Sequence, residues 1–293
     1  MIIDTHVWVT KAEHWGDWNT EVPMDDSMIH AGWNDIGKKT GVIGVSPEKM
    51  LERMDEAGVD KAVMHAIEQP DWNVKVPNEY VANVVDKYPN RFIGMGCTNL
   101  LGGTYSLKEM EEIKDLGLVG MKIAPAPNWS IPLNDAKLFP IYEKAQELDF
   151  ILQIHTGWSG YGLLKDQHPL LLDEISVKFP DLKIVVVHAG ENYYEEVVMM
   201  MLKNRNMYAG TGWWGYIQPL ETNIRFLKYA KHFKVLNKVF WGTDNYDCRD
   251  DVPFVKSFPK SAKEKNIAPG LPDLDDNDIS LYLVLNAAKL LKI

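Results

Sequence analysis

From residue 60 onward, short apolar runs rich in valine and isoleucine alternate with stretches whose apolar positions repeat at helical spacing. Together with the opening run at 2–8, the runs at 60–67, 91–98, 117–124, 150–155, 182–188, 206–212 and 238–244 predict eight strands. Helices are predicted at 47–57, 77–88, 105–115, 135–148, 169–179, 193–203, 218–231 and 278–291. Ser46 and Pro47 read as N-cap and first helical residue of the first of these, and Gly58 as its stop. Pro89 and Pro180 end two helices ahead of strands. Near-continuous apolar runs such as Ile184 to Val187 suit parallel strands covered on both faces. Eight strand–helix units in order favour an α/β fold, a single (β/α)8 TIM barrel over residues 1–293, above an open doubly wound sheet.

Two stretches break the rhythm. Residues 10–46, after strand one, are rich in Trp, Gly, Asp and His, and residues 250–276, after strand eight, in Pro, Lys and Asp. Both leave the strand C-terminal face, so they are expected to be pocket-wall insertions, not separate domains.

Four strands end on polar residues: His6, His155, His188 and Asp244. A buried imidazole or carboxylate needs a partner. In a barrel, strand C-terminal ends converge on one face, so residues far apart in sequence can meet around one ion.

Composition narrows the function. Hydrophobic residues make up 46% and charged residues 25%, an ordinary globular balance. The net charge is −10 and there is no basic stripe, which argues against nucleic acid and anionic membrane as partners. No run approaches a membrane span, and strand one starts at Ile2 with no leader-type segment before it. Cys97 and Cys248, the two cysteines, are too few for a disulfide framework. Together these predict a cytoplasmic protein acting on a small molecule. No glycine-rich phosphate loop is present, so a nucleotide site is unsupported.

Asp4-Thr5-His6, the segments at 54–63 and 88–94, His155-Thr156-Gly157, His188-Ala189-Gly190, Gly242-Thr243-Asp244 and the closing stretch 286–291 carry a resemblance. The chain resembles the amidohydrolase superfamily, in the branch shared by aminocarboxymuconate semialdehyde decarboxylase, hydroxybenzoate decarboxylases and sugar or pyrone lactonases. Leu285 stands where a glycine is common. The resemblance implies one divalent metal ion, zinc or manganese, on His6, His155 and Asp244. His188 would be either a fourth ligand or an acid, base or water-positioning group, and Asp244 would exchange a proton with the metal-bound water. A homodimer is the common assembly of the resembled family.

One departure stands out. The family's first motif has a further histidine where this chain has Trp8. Strand alternation would set Asp4, His6 and Trp8 on one face, so Trp8 takes the ligand's place, and indole nitrogen cannot coordinate. One ion, not two, is expected. Asp4 reads as a structural carboxylate. Lys122, ending strand four, reads as an ammonium for a substrate carboxylate, with a snorkelling structural lysine as the bland alternative.

Of ten tryptophans, nine fall at strand ends or in the loops after them: Trp8, Trp15, Trp18, Trp33, Trp72, Trp129, Trp158, Trp213 and Trp214. They suggest an aromatic-lined pocket with Trp8 and Trp158 against substrate, though aromatics also fill loop cores. Arg249 could pair with a substrate carboxylate. His65 reads as a hydrogen-bonded structural histidine, His14 and His30 as surface residues or substrate contacts, and His168 and His232 as surface. Glu191 reads as a helix-start carboxylate without a catalytic role, and Cys248 as incidental.

Three functions follow in order. The first is hydrolysis of a carboxylated lactone, ester or amide by metal-activated water, with Asp244 and His188 catalytic. The second is non-oxidative decarboxylation of an aromatic or unsaturated acid. The third, from another class, is a metal-free binding or assembly barrel.

Overall fold

The computed structural model describes residues 1–11, 13–14, 45–70, 73–159, 162–245 and 247–293. Most of the 10–46 insertion, with Trp15, Trp18, His30 and Trp33, lies outside the described residues, as does Trp72. Eight parallel strands form where the apolar runs stand: β1 (Ile3–Val7), β2 (Lys61–His65), β3 (Phe92–Met95), β4 (Gly120–Ile123), β5 (Ile151–His155), β6 (Lys183–Val187), β7 (Met207–Gly210) and β8 (Val239–Phe240). Helices α1 (Pro47–Ala57), α2 (Asn78–Lys87), α3 (Thr104–Asp115), α4 (Phe139–Glu147), α5 (Leu171–Lys178), α6 (Tyr194–Lys203) and α7 (Leu220–His232) alternate with them. A short antiparallel hairpin, Ile67–Gln69 with Val74–Val76, decorates the end of β2. At the start of α1 the Ser46 side chain accepts from Lys49 N and Pro47 opens the helix, while Gly58 ends it at φ 71. Each does what its residue type favours there.

Regular pairing divides the barrel wall into an arc β1-β2-β3 and an arc β4-β5-β6-β7-β8. Single bonds hold the two seams. At one, Gly96 N donates to Gly120 O and Lys122 N to Gly96 O, both at 2.9 Å. At the other, Thr5 N donates to Trp241 O at 3.1 Å and Asp244 N to His6 O at 2.8 Å. The barrel ladder is therefore not continuous, although its strands run in barrel order.

Two apolar cores follow from strand alternation. The larger lies between the wall and the helices and includes Val7, Met64, Ile123, Ile154 and Trp241. The smaller fills the barrel interior with Ile3, Val63, Met95, Ile151, Val185 and Phe240, and Ala287 and Ala288 of the final helix Asn286–Leu291 seal it. Each such side chain contributes about 1.5–3 kcal/mol on burial. With the strand N-terminal end packed in this way, polar residues collect at the other end.

β1 departs from simple alternation. Ile3 and Asp4 pair with Lys61 and Ala62, but Val7 pairs with Met64, so β1 carries one residue more than β2 across the same span. That bulge resets the pleat. His6 and Trp8 face the interior beside His65, with ring centroids 4.4 and 5.3 Å from it. Asp4 goes to the helix side, so the one-face expectation fails for Asp4 and holds for the other two.

The stretch 250–276 is not a loop wall. Cys248–Lys256 and Phe258–Glu264 are helices, here α8 and α9. Cys248 Sγ bonds Arg53 O of α1, and buried Lys228 of α7 donates to Ile267 O at 3.1 Å, so the segment completes the outer helical layer. No helix among the described residues is long and apolar enough to cross a membrane.

Candidate active site

Interior-facing strand ends bring seven polar side chains together. β1 supplies His6, β2 His65, β4 Lys122 and β5 Gln153 and His155, while His188 follows β6 and Asp244 follows β8. His6 Nε2 lies 3.3 Å from Asp244 Oδ1. The His6 and His188 rings have centroids 6.0 Å apart, and those of His155 and His188 lie 4.7 Å apart. Four predicted metal residues and Lys122 are thus gathered in one place.

The hydrogen bonds fix tautomers. His188 Nδ1 is 2.8 Å from the carbonyl of Gly212, which can only accept, so Nδ1 carries the proton. Its Nε2 then holds a lone pair and accepts from His155 Nδ1 at 3.1 Å. That leaves a lone pair on His155 Nε2, which is buried and makes no hydrogen bond among the described residues. His65 Nδ1 donates to Val7 O at 3.2 Å.

Burial sets the charges. It pushes the His6 and His155 imidazoles well below their ordinary value, with neighbouring imidazoles and the Lys122 ammonium adding to it. His188 is lowered by burial, with Asp244 opposing, and His65 falls to about 3. Burial also lowers Lys122 to about 8, with the Asp244 carboxylate pulling it back up. Neutral imidazoles are the form that can ligate an ion.

The turns that present these groups are strained. His188, Ala189, Gly190 and Glu191 all have positive φ, from 46° to 68°. Asp244 and Asn245 follow suit at 52° and 64°. Non-glycine residues rarely adopt this region, and such runs persist where the surroundings enforce them. Here Trp214 Nε1 donates to His188 O at 2.6 Å, and Asp244 N donates to His6 O.

Glu191 departs from its expected role. It is buried in a turn of left-handed residues, and one oxygen accepts from Trp158 N at 3.1 Å while the other has no partner among the described residues. Burial raises its carboxyl to about 8, against the Trp158 bond. It props the segment after His155 and so positions Trp158. Gly157 is required beside it, with φ 90 and a Cβ that would stand 2.9 Å from Glu191 Cγ.

Arg249 is a correction too. Its guanidinium pairs with Asp247 and with Glu56 of α1, which commits it to the outer layer instead of a substrate. Cys248 is buried, with its Sγ against Arg53 O. His14 is buried against the Tyr80 ring. Asp4 accepts from Thr243 N, Thr243 Oγ1 and His6 N, bracing both ends of the seam. Asn245 was not singled out by sequence, yet its amide joins both backbone groups of Trp8.

The donor set suits a divalent ion: neutral imidazoles, a carboxylate, and buried, unbonded Nε2 atoms on His6 and His155. It is not closed on a single point. Among the described residues no group of three or more His, Cys, Asp or Glu is placed to hold an ion, and His155 and His188 are bonded to each other.

Comparison with known proteins agrees with the fold. The family model described as amidohydrolase matches residues 3–293. Over 247 residues the chain is 28% identical to 2-amino-3-carboxymuconate-6-semialdehyde decarboxylase of Dictyostelium discoideum, covering 70% of this chain and 67% of that one. Over 145 residues it is 30% identical to 2-keto-4-carboxy-3-hexenedioate hydratase of a Sphingobium strain, covering 41% and 42%. The chain thus spans about two thirds of the first relative and under half of the second. A 5-carboxyvanillate decarboxylase of Novosphingobium aromaticivorans, solved with manganese and 3-methoxy-4-hydroxy-5-nitrobenzoic acid, superposes with TM-score 0.69 at 18% identity, covering 100% of this chain and 97% of that one.

Proposed function

This chain belongs to the amidohydrolase family, and from that premise we propose that it is a metal-dependent carboxy-lyase for a small aromatic or unsaturated acid. The observation that carries the reading is Lys122. Its side chain is only 5% exposed, and it makes no hydrogen bond or ion pair among the described residues. An unpaired buried cation is costly. A site that keeps one among neutral imidazoles is suited to an anion that arrives with the substrate. The three relatives described above are each named for a carboxylated compound, which supports the same substrate class. Two of the three are decarboxylases, so decarboxylation is supported about as well as the hydrolysis first expected.

His6, His155, His188 and Asp244 would hold one divalent ion, manganese or zinc. When bound, it would supply Lewis acidity toward substrate oxygens. Lys122 would face the substrate's anionic oxygens, and Trp8 and Trp158 would flank the ring. As the bond to the carboxylate breaks, carbon dioxide leaves and the carbon keeps the electron pair. Asp244, ionised at rest, would take up a proton from solvent and pass it to that carbon, ending ionised as it began.

The test is a substrate panel with added Mn2+ or Zn2+, before and after chelation. Carbon dioxide released from hydroxybenzoates supports the proposal. Acid released from lactones without carbon dioxide would return the hydrolase reading, and metal-free protein with chelator-insensitive activity would end both.

A further inference from the structure

Trp8 cannot coordinate an ion, yet it is bonded to a residue that can. Its indole Nε1 donates to Asp244 Oδ1 at 2.5 Å, the same oxygen that lies 3.3 Å from His6 Nε2. Two more bonds join the same segments. Asn245 Oδ1 accepts from Trp8 N at 2.7 Å, and Asn245 Nδ2 donates to Trp8 O at 2.8 Å. One side-chain amide therefore meets both backbone groups of Trp8, as a neighbouring strand would, beyond the point where β8 has ended. Asn245 is 1% exposed and sits at φ 64, next to Asp244 at φ 52. Asn tolerates this conformation better than most residues.

We propose that Trp8 is a positioning residue which, with Asn245, clamps Asp244 in one orientation. One carboxylate oxygen is held by the indole, so Asp244 would have its other oxygen left for an ion. The indole ring fills the adjoining space opposite His65, which confines the centre to a single ion. The two tight bonds to the Trp8 backbone give the clamp its stiffness, since neither Trp8 nor Asn245 can move alone. The inference rests on the reading that the cluster holds an ion, but the clamp itself exists without one.

Two measurements separate these layers. In metal-free protein labelled with ¹⁵N-tryptophan, one indole N–H resonance should lie far downfield, vanish in Trp8→Phe, and move upfield in Asp244→Ala. In chelator competition, wild type should take up one equivalent of Mn2+, and Trp8→Phe, which keeps the aromatic bulk, should bind it about 10–100-fold more weakly, the usual effect of losing a bond that orients a ligand. Asn245→Ala leaves indole and carboxylate in place and should weaken binding in the same direction. The clamp is overturned if Asp244→Ala leaves every indole resonance unmoved, or if both Trp8→Phe and Asn245→Ala bind Mn2+ as tightly as wild type. Should wild type take up no Mn2+ while the resonance still answers to Asp244, the ion reading falls and the clamp stands.

Discussion

At the scale of single residues, the site is a set of neutral imidazoles around one carboxylate and one ammonium, Lys122, that makes no hydrogen bond or ion pair among the described residues. In the proposed reaction Asp244 handles the proton and His188 would help to hold the ion. Asn keeps the size of Asp244 but not its proton chemistry, and at His188 it removes the imidazole; turnover should fall by about 10²-fold or more in both, with little change in unfolding temperature for Asp244→Asn. Wild-type rates in both variants would remove them from the mechanism. Lys122 gives a different signature. Lys122→Met removes a buried charge that the fold does not pair, so the apo protein should unfold at an equal or higher temperature. The same variant should raise KM for a carboxylated substrate by about 10–100-fold, the size of a lost charge-assisted hydrogen bond. A variant that destabilises the protein and leaves KM alone would make Lys122 a structural residue.

At the scale of elements, the turn after β6 presents His188 on a run of left-handed backbone that contains a buried carboxyl. Glu191, raised to about 8 by burial, is protonated at neutral pH in the fold but ionised when unfolded. A folded-state value above the unfolded one gives stability that is present in full below the ordinary carboxyl range and lost as pH rises through about 8. Asp251, buried under Trp241 and raised to about 7, acts with the same sign. The unfolding temperature should therefore fall between pH 6 and 9, and Glu191→Gln should flatten that slope. An equally steep slope in the variant would show that Glu191 ionises without cost.

These elements also mark what a sequence discloses. Strand and helix positions were legible because apolar spacing records which faces are covered, and α1 begins and ends on the residues that its cap chemistry names. His6, His155, His188 and Asp244 were legible because each ends an apolar run. The β1 bulge left no such mark: one extra residue has no composition, and it alone separates Asp4 from His6. Arg249 looked like a ligand for an anion because Glu56, its partner, lies 193 residues earlier. Glu191 read as a helix start because the run of left-handed residues that buries it has no sequence signature. Asn245 was missed because its work is to replace backbone pairing, a role that no residue type advertises.

At the scale of the molecule, bound metal should act as a staple across the wall. A ligand that binds only the folded state adds about 2.7 kcal/mol when present at 100 times its Kd. Saturating Mn2+ should raise the unfolding temperature of wild type and do much less for His6→Ala or His155→Ala. Equal shifts in all three would place the ion elsewhere. The wall has fewest backbone bonds where its chemistry is densest, for β8 is two residues long and meets β1 through single bonds. The Trp8–Asp244 bond spans 236 residues of chain, a separation that makes it among the last contacts to form. A partly folded chain cannot hold the whole site, because His6 arrives with the first strand, Asp244 follows the last, and the other residues come from strands between them. Competence and completion are then the same event: the protein becomes able to bind only when its two ends have found each other.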